Sequence, residues 1–142
     1  MHEYTGTCRC GATTMTLASN LAPEKFQPRS DAQTCHFCRE HDGVWISDPR
    51  GLLQLGKNNT TAIRKFASQQ IQFHFCLRCG ELAYATYYDG EKDKEVAVVR
   101  VRLFDTIDAI ALPVKATNFD QETLAAGRAR KLAHWTPVMR QG

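Results

Sequence analysis

The chain has 142 residues, 43% of them hydrophobic, enough for one domain of ordinary size to bury a core. No apolar run is long enough to span a bilayer, and the opening MHEYTGTCRC lacks the apolar stretch of a secretory leader, so the expectation is a cytoplasmic protein without a membrane anchor. The formal net charge of +3 is mild and the 18 basic residues are scattered, which gives no stripe to support nucleic-acid binding.

Period-two alternation and β-branched residues predict short strands over 13–17, 44–47, 52–55, 62–67 and 70–75. Residues 82–88 and 95–104 extend the pattern. Asp89-Gly90 is a turn signal between them, so they are expected to form a hairpin, with Arg100 and Arg102 on the face opposite Val99, Val101 and Leu103. Pro49, Gly51 and Gly56 bracket the Leu52 strand, and Asn58-Asn59 marks a loop. A short helical turn is expected after Cys38. The clearest helix is 121–132, opened by Asp120 as N-cap and weakened by Gly127. The expectation is one domain over 1–142 with 120–142 a helical C-terminal extension. Beyond Trp135 the chain reads as an appendage, frayed or docked on a neighbouring subunit.

All six cysteines fall in close pairs: Cys8 with Cys10, Cys35 with Cys38, and Cys76 with Cys79. This is metal-ligand spacing, because neighbours at CxC or CxxC converge their sulfurs on one ion, and a reducing cytosol does not preserve disulfides. Cys8, Cys10, Cys76 and Cys79 together predict a closed four-thiolate site for a structural zinc. Both pairs run into glycine, at Gly11 and Gly80, and glycine admits the positive φ that turns backbone amides toward the sulfurs. The alternative for any one pair is two small buried apolar residues. The middle segment Cys35-His36-Phe37-Cys38-Arg39-Glu40-His41 carries two thiols and two imidazoles, ligands on paper for a second zinc. Its bland reading is two reduced cysteines beside a solvated histidine.

The order Gly6-Thr7-Cys8-Arg9-Cys10-Gly11, then Thr34-Cys35-His36-Phe37-Cys38-Arg39-Glu40-His41-Asp42-Gly43, then Phe75-Cys76-Leu77-Arg78-Cys79-Gly80 resembles the glutathione-dependent formaldehyde-activating enzyme family. The resemblance spans roughly residues 4 to 105 and includes Val44 to Gly51. It implies a mainly β, Mss-four-like fold of packed antiparallel sheets with zinc knuckles and a structural zinc on Cys8, Cys10, Cys76 and Cys79. It also implies a catalytic zinc on a CxCxxC motif, whose last two cysteines match Cys35 and Cys38. Gln33 stands where the first would be, and a neutral amide is a poor ligand beside a thiolate. The third ligand is therefore open, with His36 and His41 as candidates.

Two functions follow. One is a carbon-sulfur lyase-type reaction on a thiol, such as glutathione, and an aldehyde, with Cys35, Cys38 and His41 as catalytic candidates and Arg39 or Arg78 pairing with ligand carboxylates. A metal-free variant uses Cys35 or Cys38 as a thiolate nucleophile. The other function is a non-catalytic, zinc-stabilised protein-interaction module presenting aromatics from Tyr84, Tyr87, Tyr88 or Trp135. A basic tail of Arg128, Arg130, Lys131 and Arg140 binding nucleic acid is a remote third reading. Homodimerisation through sheet edges or the C-terminal helix is left open.

Overall fold

A computed structural model of the chain describes residues 1–31, 36–56, 59–66, 70–119 and 122–140, without the side chains of His36 and Phe66. Eleven strands and three helices lie among these residues. In chain order they are β1 (His2–Thr7), β2 (Thr14–Ser19), β3 (Arg29–Ser30), α1 (His36–Glu40), β4 (Trp45–Ile46), β5 (Leu52–Leu55), β6 (Thr61–Phe66), β7 (Ile71–Cys76), β8 (Leu82–Asp89), β9 (Lys94–Arg100), α2 (Asp105–Asp108), β10 (Lys115–Ala116), α3 (Leu124–His134) and β11 (Thr136–Arg140). No helix of the described residues is long and apolar enough to cross a membrane.

The centre is the antiparallel meander β6-β7-β8-β9. On its far edge β9 pairs with β11 through Val96 and Ala97, and with β4 through Val99 and Arg100. From β11 the pairing continues through β5 and β2 to β1. The architecture is mainly β, as expected, and mixed in direction, since β5–β11 and β3–β10 are parallel.

Alternate side chains of the central strands enter two separate cores. Tyr84, Ala97 and Val99 face inward with Tyr4, Met15, Leu17, Leu53 and Leu55 of the β1-β2-β5 ribbon. Phe73, Ala85, Tyr87, Val96 and Val98 pack on the other side with Phe37, Cys38 and Trp135. This two-sided burial explains why 82–88 alternates only loosely in sequence: a strand covered on both faces has no solvent face to mark with polar residues. His74 lies within this interior, sharing hydrogen bonds with the Thr61 hydroxyl at 3.0 Å and the Thr86 hydroxyl at 2.9 Å. Burial, reinforced by the charge of Arg140, pushes its imidazole down to about 4 and keeps it neutral.

Several elements differ from expectation. The strand predicted over 95–104 ends at Arg100, and Val101–Leu103 wind into a 3-10 turn that carries Val101, Leu103 and Phe104 into the first core. β1 was not predicted, because its outward positions are exposed and Tyr4 is its one large inward side chain. The C-terminal helix starts later than expected. Asp120 and Gln121 lie outside the described residues, and the cap is Thr123, whose Oγ1 accepts from the Ala126 amide at 3.1 Å. Residues 136–140 are not an appendage: they form β11, which joins the β1-β2-β5 ribbon to β9.

Helix α3 is tied to the β8–β9 hairpin by Arg128, which donates from Nε to Asp89 Oδ1 at 2.6 Å and from its terminal nitrogen to Oδ2 at 3.1 Å. The Arg128 guanidinium holds the Asp89 carboxyl below its ordinary value, with the Lys92 amide assisting and burial opposing. A lowered carboxyl pKa adds stability above the ordinary value, and that stability is lost as pH falls through the folded one. Asp89→Asn is therefore expected to flatten the acid limb of the stability curve below about pH 4, measured by urea unfolding at stepped pH.

Candidate metal centre and the middle motif

Each outer cysteine pair forms the turn of a hairpin. Cys8 and Cys10 lie between β1 and β2, while Cys76 ends β7 and Cys79 lies between β7 and β8. The two turns are built alike. The Cys8 amide donates to Thr13 O at 3.1 Å and the Cys76 amide to Glu81 O at 2.9 Å, both across five residues. Gly11 and Gly80 adopt φ of +80° and +76°, the left-handed region that a Cβ disfavours.

The four sulfurs lie within 4.8 Å of one another. Cys10 Sγ is 3.5 Å from Cys8 Sγ and 3.6 Å from Cys76 Sγ. Tetrahedral coordination at the ordinary zinc–sulfur bond length sets sulfurs about 3.8 Å apart, so the cage has the size of a four-coordinate metal site. Cys8 and Cys76 are buried, Cys79 is half-buried and Cys10 is exposed.

Backbone and side-chain groups already favour thiolate. The Thr13 amide points at Cys8 Sγ at 3.4 Å. Burial pushes the Cys76 thiol up, but the Thr13 hydroxyl, the Cys79 and Arg78 amides and Cys10 outweigh it and bring the thiol down to about 6. That Thr13 hydroxyl is fully buried with no conventional hydrogen-bond partner, so a permanent thiolate at Cys76 is what would satisfy it. Cys10 goes the other way. The Ala12 amide favours its thiolate, yet partial desolvation and the neighbouring sulfurs push it up to about 11. Four adjacent sulfurs cannot all ionise by themselves, and a bound dication removes that conflict. The residues fit a metal ion.

The middle motif is described in part. Cys35 and Gln33 lie outside the described residues, and His36 is seen only as backbone at the start of α1. Cys38 is on α1, buried with Phe37 and Phe73 in the second core. His41 follows α1 and is half-buried, its ring 4.7 Å from Phe37 and 5.1 Å from Phe75. Among the described residues, the outer four cysteines are the only group of three or more potential ligands that converges. Arg39 and Arg78 are exposed.

Of the aromatics expected to form a contact surface, Tyr84, Tyr87 and Trp135 are core residues, and Tyr88 is exposed. Arg128, Arg130 and Arg140 of the basic tail are paired with Asp89, Glu122 and Glu95, and Lys131 is buried. An open cleft of about 700 Å³ is lined by residues such as Gln72, Thr86, Tyr88 and Arg140 and includes no cysteine.

A link between the two motifs went unread in the sequence. Glu81 follows the second knuckle and accepts from the Arg9 amide, inside the first knuckle, at 2.7 Å. Its other oxygen accepts from Arg100 at 2.9 Å, and Arg100 also donates to Asp42 O at 2.9 Å and Asp42 Oδ2 at 3.2 Å. Asp42 directly follows His41. The chain Arg9-Glu81-Arg100-Asp42 thus runs from the sulfur cage to the end of the middle motif. The one available signal was an arginine and an acid inside otherwise strand-like runs.

Residues 3–121 match the family described as glutathione-dependent formaldehyde-activating enzyme. The chain belongs to this family. A crystal structure of a Rhodobacter sphaeroides protein aligns with a TM-score of 0.55 and 21% identity, covering 80% of this chain and 99% of that one, a likeness of fold. No curated protein matches the chain. The mainly β architecture is that expected of the family's Mss-four-like fold.

Arg100→Met leaves Glu81 and Asp42 facing an uncharged neighbour and is expected to lower stability by about 3 kcal/mol. Arg102→Met, at a largely exposed pair with the same Asp42, should change it by no more than about 0.5 kcal/mol. Urea midpoints of the two variants decide this. Gly80→Ala has open space for its methyl group, so any loss reports backbone strain alone, about 1 kcal/mol by the same measurement.

Proposed function

We propose that this family member is a zinc-stabilised enzyme of carbon-sulfur lyase type, making or breaking adducts between a glutathione-like thiol and a small aldehyde. The match of residues 3–121 to the formaldehyde-activating family carries this reading. The ion assigned to Cys8, Cys10, Cys76 and Cys79 is zinc, because an all-thiolate tetrahedral set selects a soft ion of that kind. Its role is structural: four protein ligands close the site and leave no position for substrate. Keeping these thiols reduced suits a cytoplasmic protein.

The chemistry is assigned to the middle motif. In the addition direction the thiol gives up its S–H proton, its sulfur attacks the aldehyde carbon, the carbonyl π pair moves to oxygen, and oxygen takes a proton in return; nothing is oxidised. The reverse step removes that proton and expels the thiolate. His41 is the proton carrier, since imidazole is the side chain suited to exchange at neutral pH. Cys38, with Cys35, holds the reacting centre. Phe37, Phe73 and Phe75 beside Cys38 and His41 supply an apolar wall that limits water.

Exchange between glutathione and formaldehyde, followed by NMR with catalytic amounts of protein, tests this reading. Wild type is expected to accelerate exchange, Cys38→Ser to abolish the acceleration, and His41→Asn to reduce it by about 100-fold. Failure of a folded, metal-loaded wild type to accelerate exchange contradicts the enzyme and leaves the non-catalytic interaction module.

A further inference from the structure

Outside the cysteine motifs, one side chain is placed where stability gives it no reason to be. Lys131 is on α3, beyond the family-matched residues, and only 5% of its surface is exposed. Its amine sits 5.1 Å from the Tyr87 ring centroid, and it makes no ion pair among the described residues. The nearby carboxylates are hydrogen-bonded to arginines, and Glu122, which also lines the cleft, acts on the amine only through its charge. Glu122 accepts two hydrogen bonds from Arg130, at 2.8 and 3.0 Å, and Asp89 accepts two from Arg128. A buried ammonium with no directly paired carboxylate among the described residues is costly, and the ring face and the charge of Glu122 offset only part of that cost.

Lys131 lines a cleft of about 210 Å³ between α3 and the end of β8. Tyr87, Phe119 and Leu124 give the cleft apolar and aromatic walls, and Arg128 stands among its polar ones. The helix makes room for the amine. A Cβ at Gly127, one turn earlier, would lie 3.2 Å from Lys131 Nζ and 2.9 Å from Glu122 Oε1.

We propose that this cleft binds a small organic monocarboxylate, its carboxylate on the Lys131 ammonium and its apolar body against Tyr87 and Phe119. A single buried cation suits a single negative charge. A phosphate dianion would call for more donors than one ammonium supplies. Burial and the charge of Arg130 weaken the amine's hold on its proton, Glu122 opposes them in part, and a bound anion adds to that opposition. The site is independent of the thiol–aldehyde reaction, although Tyr87 belongs to the same core as Cys38.

Isothermal titration of the full chain with sodium benzoate, and with the neutral isostere benzamide, tests the proposal. Benzoate is expected to bind at one site per chain, and benzamide at least about tenfold more weakly. Lys131→Met keeps the stem and removes the buried charge, so its urea midpoint should not fall, while its benzoate affinity drops by about tenfold or more. Equal binding of benzamide, undiminished benzoate binding by Lys131→Met, or no binding of benzoate by wild type each overturns the proposal.

Discussion

The convergence of four sulfurs at the tips of two hairpins is the constraint on which the other features rest. Cys8 and Cys10 cap the β1–β2 ribbon, Cys76 and Cys79 cap β7–β8, and among the described residues no strand pairing joins the two ribbons directly there. They meet through core packing and through the cage. An ion at the cage therefore joins residues nearly seventy positions apart, and its binding free energy becomes folding free energy, on the order of 10 kcal/mol for a structural zinc. The split between the Cys76 and Cys10 thiols, one brought down to about 6 and the other pushed up to about 11, is the electrostatic conflict that such an ion relieves.

From the cage, order passes inward along two routes. One is apolar: β7, β8 and β9 are covered on both faces, so the knuckles are continuous with both cores. The other is polar. Glu81 bonds the first knuckle's backbone and the buried Arg100, which reaches Asp42 behind His41. A buried guanidinium with several acceptors fixes its neighbours' positions more than it adds stability. On the proposed function, this is how a structural metal comes to hold the end of the reactive motif in place.

Much of this was legible in the sequence. Paired cysteines followed by glycine identified the cage, because ligand spacing and positive φ are local properties that three or four residues encode. The first three strands of the central meander were also legible within a residue or two, the fourth was read four residues too long, and Leu52–Leu55 was placed as observed. What escaped depends on distant partners. β1 and β11 are strands because β2, β5 and β9 offer them edges, not because their own residues alternate strongly. The break after Arg100 is set by Val101, Leu103 and Phe104 finding one core together. Arg100 was assigned correctly to the face opposite Val99, but its burial depends on Glu81 and Asp42, which meet it only in three dimensions. The aromatics read as a contact surface were mostly core, which is the usual outcome for rings on a two-sided strand.

The most direct measurement is zinc content per chain by elemental analysis of protein purified without added metal, for wild type and for Cys10→Ser/Cys79→Ser, with circular dichroism recorded before and after a strong chelator. The account predicts that the double variant carries about one zinc fewer than wild type, and that removing metal from wild type unfolds it cooperatively. A wild type that holds no tightly bound metal, or one that keeps its full strand signal after its metal is removed, would contradict it.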